Sequence, residues 1–169
     1  MKMQMSMYQA SLPVFIHMLR NLRGILGKGA AHCEEKGIDP GVLVDCRLYP
    51  DMFPLSRQVQ IATDVVKGFA ARLAGQEPPK YEDTEASFDE LVARVDKTIA
   101  FLETFKPEQI DGTESKEVTL HLRSRDITLK GMDYLNGFVM PNFYFHVTTT
   151  YALLRHNGVE LGKMDFIGH

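Results

Sequence analysis

Four segments of this chain carry apolar residues at steps of three and four positions, the spacing of a helix with one buried face. In the first segment these positions run from Leu12 to Leu26, and in the last from Phe143 to Leu154. One stripe per helix is what a helical bundle needs, because each helix then buries its stripe against its neighbours. The predicted helices span about Ser11 to Gly37, about Pro54 to Gly75, Ser87 through Leu102, and about Pro141 to Gly158.

Residues at the ends of these segments support the helix boundaries. Pro13 falls in the first turn of the first helix, where a proline loses no hydrogen bond. Ser87 and Glu90 have the spacing of a capping box, and Gly37 is suited to end the first helix. Residues 39–44 begin with Asp-Pro and predict one further short turn of helix.

The segment between the third and fourth helices follows a different pattern. Residues 117–122 alternate polar with apolar side chains, and residues 126–129 do so again after a polar turn. This alternation predicts a two-stranded hairpin. The chain is therefore predicted to be an all-α four-helix bundle with a short β-hairpin inserted before the last helix. Its length suits one core, so residues 1–169 are predicted to form a single domain.

A histidine lies inside the apolar stripe of the fourth helix. His146 shares that stripe with Thr150, and Asn142 lies along its edge. Gln58 is the polar residue inside the stripe of the second helix. Because buried polar groups need hydrogen-bond partners, we predict an inter-helix pocket in which His146 bonds to Gln58, Asn142 or Thr150. An inward histidine can also ligate a metal, and that alternative stays open.

A loop with two prolines precedes the second helix. Pro50 and Pro54 exclude a regular helix from residues 47–54, yet four side chains of this loop are apolar. We therefore expect the loop to pack over one end of the bundle, near Gln58. Asp51 is expected to cap the second helix or, alternatively, to contact a ligand in the pocket.

Charge and composition exclude several functions. The net charge is −3 and no basic cluster exceeds two or three residues, which argues against nucleic acid as a partner. No run approaches the ~18 apolar residues that span a bilayer, which argues against a membrane. Cys33 and Cys46 form no metal-ligand or C-x-x-C spacing, and a reducing, cytoplasmic location is predicted.

Two longer motifs resemble known families. The run RLYPDMFPL at residues 47–55 and the run PNFYFH at residues 141–146 look like an uncharacterised bacterial family, catalogued as domain of unknown function nineteen-ninety-three. Residues 153–168 resemble the closing segment of DinB-like (YfiT-like) bundles. The resemblance covers nearly the whole chain and implies the DinB-like four-helix fold.

The resemblance also implies where a metal would be held. The DinB-like superfamily typically uses three histidines, one on the second helix and two on the fourth. Here the fourth-helix pair corresponds to Asn142 and His146, and the second helix offers only Gln58. A neutral amide is a weak metal ligand, so this departure favours a small-ligand-binding or structural protein without a cofactor. The alternative is a divalent-metal enzyme (zinc, nickel or iron) of the thiol-transferase or isomerase type, using His146 with Gln58, Asn142 and Asp51.

Apolar residues outside the stripes predict self-association. Tyr144, Phe145 and Tyr151 cannot all face the interior from the fourth helix, and Met18 and Ile25 widen the apolar face of the first. A homodimer would cover this surface, and cover by the hairpin is the alternative.

Overall fold

Four long helices, all within the described residues 5–168, form the frame of this computed structural model. They are α1 (Leu12–Lys36), α3 (Leu55–Leu73), α4 (Phe88–Glu103) and α7 (Met140–His156). The shorter elements are α2 (Pro40–Val44), α5 (Pro107–Ile110), β1 (Glu117–His121), β2 (Asp126–Lys130), α6 (Gly131–Tyr134), the π-helical turn (Leu135–Val139) and α8 (Lys163–Ile167). The predicted helical bundle with a hairpin before its last long helix is confirmed.

The long helices meet around a cluster of aromatic rings. α1 packs against α4, α3 packs against α7, and α4 also contacts α3. The ring of Phe15 in α1 contacts Phe69 of α3 and Phe143 of α7 edge to face, at centroid distances of 5.6 and 5.4 Å. All three side chains are fully buried, and each contributes roughly 1.5–3 kcal/mol through its burial. This cluster holds α3 and α7 side by side, which positions the polar groups between them.

Three of the predicted helix ends are confirmed by their capping geometry. Ser87 Oγ accepts a hydrogen bond from the Glu90 backbone N–H at 3.2 Å, and the Glu90 carboxylate accepts one from the Ser87 N–H at 3.1 Å. Gly37 follows α1 with φ 64°, the left-handed conformation that ends many helices. Asp39 caps α2 by accepting a hydrogen bond from Gly41 N–H at 2.9 Å.

A wider turn precedes the last long helix. The sequence predicts that this helix begins near Pro141, but helical structure already begins at Gly131 with α6 and continues through the π-helical turn into α7. A proline inside an α-helix lacks the N–H of one hydrogen bond and crowds the preceding turn. The π-helical turn ends at Val139, two residues before Pro141, and its hydrogen bonds join residues five apart instead of four.

The proline-rich loop is more exposed than predicted. Tyr49 is 67% exposed, and Leu48 and Phe53 are each about half exposed, so the expectation that these side chains are covered is wrong. The loop is closed by polar contacts instead, since the Arg47 guanidinium donates to the Met52 carbonyl at 2.6 Å.

Asp51 does not cap α3. The residue before this helix is Pro54, and no side chain caps the helix start. Asp51 instead lies exposed in the loop. The capping prediction is therefore wrong.

The hairpin packs one face on the bundle. β1 and β2 pair antiparallel, with Val118 opposite Leu129 and Leu120 opposite Ile127. Val118 and Leu120 are buried, whereas their partners on β2 are half-buried.

Within the described part of the chain, no helix combines the length and apolarity needed to cross a membrane.

A buried arginine ties the connection between α3 and α4 to both helices. The Arg94 side chain is 2% exposed and lies 2.9 Å from a carboxylate oxygen of Asp64, 3.1 Å from Asp83 and 3.0 Å from Glu85. Its Nε also donates to Thr63 Oγ1 at 2.9 Å. Burial acts to lower the pKa of Arg94, but the hydrogen bond to Glu85 and the surrounding carboxylates outweigh burial and raise it. Sequence reasoning did not identify this cluster.

Much of the apolar surface behind the homodimer prediction is covered by the chain itself. Met18 and Ile25 are buried in the core. Tyr151 packs edge to face against Phe166 of α8, with ring centroids 6.3 Å apart. Phe145 remains more than half exposed. Self-association stays a prediction, to be checked by light scattering, with Phe145 as its remaining motivation.

Candidate functional site

His146 of α7 and Gln58 of α3 form the polar contact between these helices. His146 Nδ1 and Gln58 Oε1 are 2.6 Å apart, which confirms Gln58 as the predicted hydrogen-bond partner. The Gln58 amide nitrogen donates to the backbone carbonyl of Phe53 at 3.1 Å, so its oxygen is the atom that faces the imidazole. An amide oxygen only accepts, and Nδ1 must therefore carry the proton in the neutral ring. Nε2 is left with its lone pair.

Burial keeps this imidazole neutral. His146 is 8% exposed, and desolvation, aided by the positive charge of Arg57, lowers its pKa to about 4. At neutral pH the ring is consequently a hydrogen-bond donor at Nδ1 and an acceptor at Nε2. It carries no charge that would attract an anion or oppose a cation.

We expect His146 to titrate near pH 4 when its ring signals are followed by NMR. The folded pKa lies below the ~6.5 of a free imidazole, so between these values the unfolded chain binds the proton and the folded chain does not. The stabilising effect of the neutral ring is present above the unfolded pKa and is lost as the pH falls through this window. A midpoint near the free value would show that the ring is solvated.

The other predicted site residues are distributed along α7 and the loop. Thr150 Oγ1 donates to the His146 backbone carbonyl at 2.9 Å, one turn back in its own helix. Asn142 lies one turn before His146 on the same side of α7, and its side chain lines a cavity beneath the hairpin. Asp51 lies in the exposed loop described above and lines no part of that cavity. The structure thus brings His146 and Gln58 into contact and places Asn142 at a neighbouring cavity.

That cavity lies between α3, α7 and the hairpin and has a volume of about 190 Å³. Part of its wall is apolar and part is polar. The apolar residues are Val65, Leu120, Leu122 and Phe138. The polar ones are Asp64, Arg72, His121, Tyr134 and Asn142. A partly apolar depression lined by a few polar groups has the composition common to small-molecule sites.

Arg72 is the cationic group of this cavity. Its Nη1 donates to the Tyr134 hydroxyl at 3.1 Å. The Tyr134 ring is buried, and burial raises the pKa of its hydroxyl, which therefore stays neutral. Gly68, one turn earlier in α3, makes room for this arrangement, because a Cβ there would overlap the Arg72 guanidinium.

Sequence reasoning missed Arg72 and Tyr134. Arg72 reads as an ordinary surface residue near a helix end, and Tyr134 falls in a segment that the sequence did not predict to be helical. One signal was available. Gly68 lies inside the second predicted helix, and a glycine inside a helix often has a packing reason.

The donors around His146 do not fit a divalent metal. Gln58 Oε1 already accepts the Nδ1 proton, so it is not directed at Nε2. The positive charge of Arg57, which lowers the pKa of His146, would also repel a cation. Over residues 5–168, no group of three His, Cys, Asp or Glu side chains is arranged to hold a metal ion.

The two thiols are poor nucleophile candidates. Burial raises the pKa of both Cys33 and Cys46, so neither forms a thiolate readily at neutral pH. The Cys46 sulfur instead accepts a weak contact from the Asn157 amide at 3.7 Å.

Comparison with known proteins places the chain in a family. The family described as "Domain of unknown function (DUF1993)" matches residues 7–167. The crystal structure of a DinB family member protein from Shewanella denitrificans is similar, with a TM-score of 0.87 and 38% identity over 96% of this chain and 92% of that one. No curated protein matches. The chain belongs to the DUF1993 family of DinB-like helical bundles.

Proposed function

We propose that this protein binds a small molecule in the cavity between α3, α7 and the hairpin. The proposal rests chiefly on the position of the Asn142 side chain. This residue lines the cavity, is half-buried, and its side chain makes no hydrogen bond to any described residue. An amide has two donors and an acceptor to satisfy, so it is available to a ligand.

The rest of the cavity supports the same function. The apolar walls can exclude water from one side of a bound molecule, while Arg72 and Asn142 can fix its orientation. The volume of about 190 Å³ lies below the ~300–1,000 Å³ typical of sites for drug-sized ligands. The ligand we propose is correspondingly small.

His146 has a supporting part in this proposal. Its contact with Gln58 fixes α7 to α3 one turn beyond Asn142. The neutral imidazole allows this contact without burying a charge, whose desolvation would be costly. The metal-dependent alternative lacks comparable support, because the groups near His146 do not converge on Nε2.

A thermal-shift screen of small acids, amides, amines and alcohols is the test. A ligand that binds only the folded protein stabilises it by about 2.7 kcal/mol at one hundred times its Kd, so a hit is expected to raise the Tm clearly. Replacing Asn142 with leucine removes the amide at nearly constant size and is expected to abolish the shift.

Asn136→Leu is the matched control for this screen. Asn136 belongs to the π-helical turn, is exposed and lines a different surface depression. Its replacement is expected to leave every hit unchanged. The proposed function would be wrong if no compound stabilised the protein, or if hits shifted Asn142→Leu as strongly as the wild type.

A further inference from the structure

We propose that the ligand of this cavity is a small monocarboxylate with a compact apolar body, and that Arg72 binds its carboxylate. The inference rests on the proposed function and specifies its ligand class. It depends on the absence of an ion pair between Arg72 and any described residue, on the position that Gly68 gives its guanidinium, and on the apolar residues that line the same cavity.

Arg72 lines this cavity without a carboxylate partner among the described residues. The neighbouring charged cluster balances without it, because three cations face three carboxylates: Arg57, Lys67 and Arg94 against Asp64, Asp83 and Glu85. Arg72 makes no ion pair to any of the described residues, and its hydrogen-bond partner is the neutral Tyr134 hydroxyl. A half-buried guanidinium without a carboxylate has donors to spare for an anion.

Asp64 does not supply the missing charge. This carboxylate lines the same cavity, but its Oδ1 already accepts from Lys67 at 2.6 Å and from Arg94 at 2.9 Å. Those two cations offset its repulsion of an anion. His121 also lines the cavity. Its Nδ1 lies 2.9 Å from Asp126 Oδ1, so that carboxylate pairs with the histidine and not with Arg72.

The glycine at position 68 determines where the guanidinium lies. Nη1 of Arg72 lies where the Cβ of a larger residue at position 68 would be, so such a residue would displace it. The arginine is thereby folded back along α3, and it lines the cavity together with Val65 and Asn142. The planar fork can donate two parallel hydrogen bonds to a carboxylate, which gives directional recognition.

The apolar lining determines what the uncharged part of the ligand is made of. Leu120, Leu122 and Phe138 offer an apolar surface, while Asn142 can hydrogen-bond the second carboxylate oxygen or a polar substituent. A phosphate has no apolar body, so it would leave these apolar walls uncovered. The structure therefore favours a carboxylate over a phosphate.

The probes are benzoate and butyrate, with benzamide and butyramide as neutral molecules of the same shape. Binding to the untagged full chain is measured by calorimetry and by NMR amide shifts. We expect the acids to shift residues around the cavity and the amides to bind about tenfold more weakly or worse, because hydrogen bonds to a charged partner are the stronger ones.

Two variants test the role of Arg72. Arg72→Gln removes the charge and is expected to weaken acid binding about tenfold or more. Gly68→Ala keeps the charge but displaces the guanidinium. Because alanine favours a helix more than glycine does, a loss of binding in this variant is not explained by a less stable fold. It is also expected to weaken acid binding. Arg155→Gln, at an exposed position of α7, is the control that should bind the acids as the wild type does.

The outcomes separate the two proposals. If the amides bound as tightly as the acids, or if both Arg72→Gln and Gly68→Ala retained full acid binding, the carboxylate inference would be overturned while ligand binding stood. Inorganic phosphate displacing benzoate at equal concentration would likewise overturn the choice of carboxylate. If neither acids nor amides bound, and the wider screen also gave no hit, both proposals would fall.

Discussion

Replacing Arg94 with methionine is expected to lower the free energy of unfolding by about 3 kcal/mol, since removing one partner of a buried ion pair costs roughly 3–5 kcal/mol. The side chain is 2% exposed and contacts three carboxylates and the Thr63 hydroxyl. The carboxylates left behind are 12% to 41% exposed, so water can partly solvate them. That exposure places the expected loss at the lower end of the range.

Arg20→Met is the matched comparison for Arg94. Arg20 also lies within 2.8 Å of a carboxylate, that of Glu103, but both side chains are about half exposed or more. Exposed pairs contribute roughly 0–1 kcal/mol, so this variant is expected to unfold almost as the wild type does. Urea denaturation followed by circular dichroism measures both. Equal losses in the two variants would show that the burial of Arg94 is energetically unimportant.

The second large effect is expected from Gly131→Ala, which should destabilise the protein by about 3 kcal/mol, at the upper end of typical overpacking costs. A Cβ at this position would overlap the backbone carbonyl oxygen of Thr113. That carbonyl is not free to move, because it accepts a hydrogen bond from Lys116 N–H at 3.0 Å. The adjacent Met132 N–H is also bonded to the Glu114 carbonyl at 3.0 Å.

Gly24→Ala is the opposite case and serves as the control. Gly24 lies within α1, and a Cβ there would have nothing within 4 Å. The same substitution is therefore expected to stabilise the protein by up to about 1 kcal/mol, because alanine favours the helix. Thermal and urea unfolding of the two variants should move in opposite directions. A stable Gly131→Ala variant would mean that the hairpin shifts easily against the bundle.

The sequence predicts those parts of the fold that depend on local patterns. Helix stripes, the Ser87 capping box and the alternating hairpin all reflect interactions between near neighbours, and each is confirmed. The contact between His146 and Gln58 was also predictable, because each is polar and lies inside an apolar stripe. Buried polar groups on adjacent helices have few partners to choose from.

The charged residues could not be placed in the same way. Arg94 and Asp64 are thirty positions apart, and nothing in their local sequence distinguishes them from residues on a solvated helix face. Asp51 precedes a helix, as a capping residue does, but the loop carries it away from the helix start. Such outcomes depend on where a whole connection lies in three dimensions, which local periodicity does not specify.

The π-helical turn constrains how many residues can lie between α6 and α7. Tyr134 and Asn142 line one cavity although, on an uninterrupted α-helix at ~100° per residue, positions eight apart would diverge by about 80°. The wider turn at Leu135–Val139 advances less per residue and brings the two side chains back into line. Deleting one residue here would turn α6 relative to α7 and separate Tyr134 from Asn142. Relatives that share this cavity should accordingly tolerate substitutions in these five positions far better than gaps.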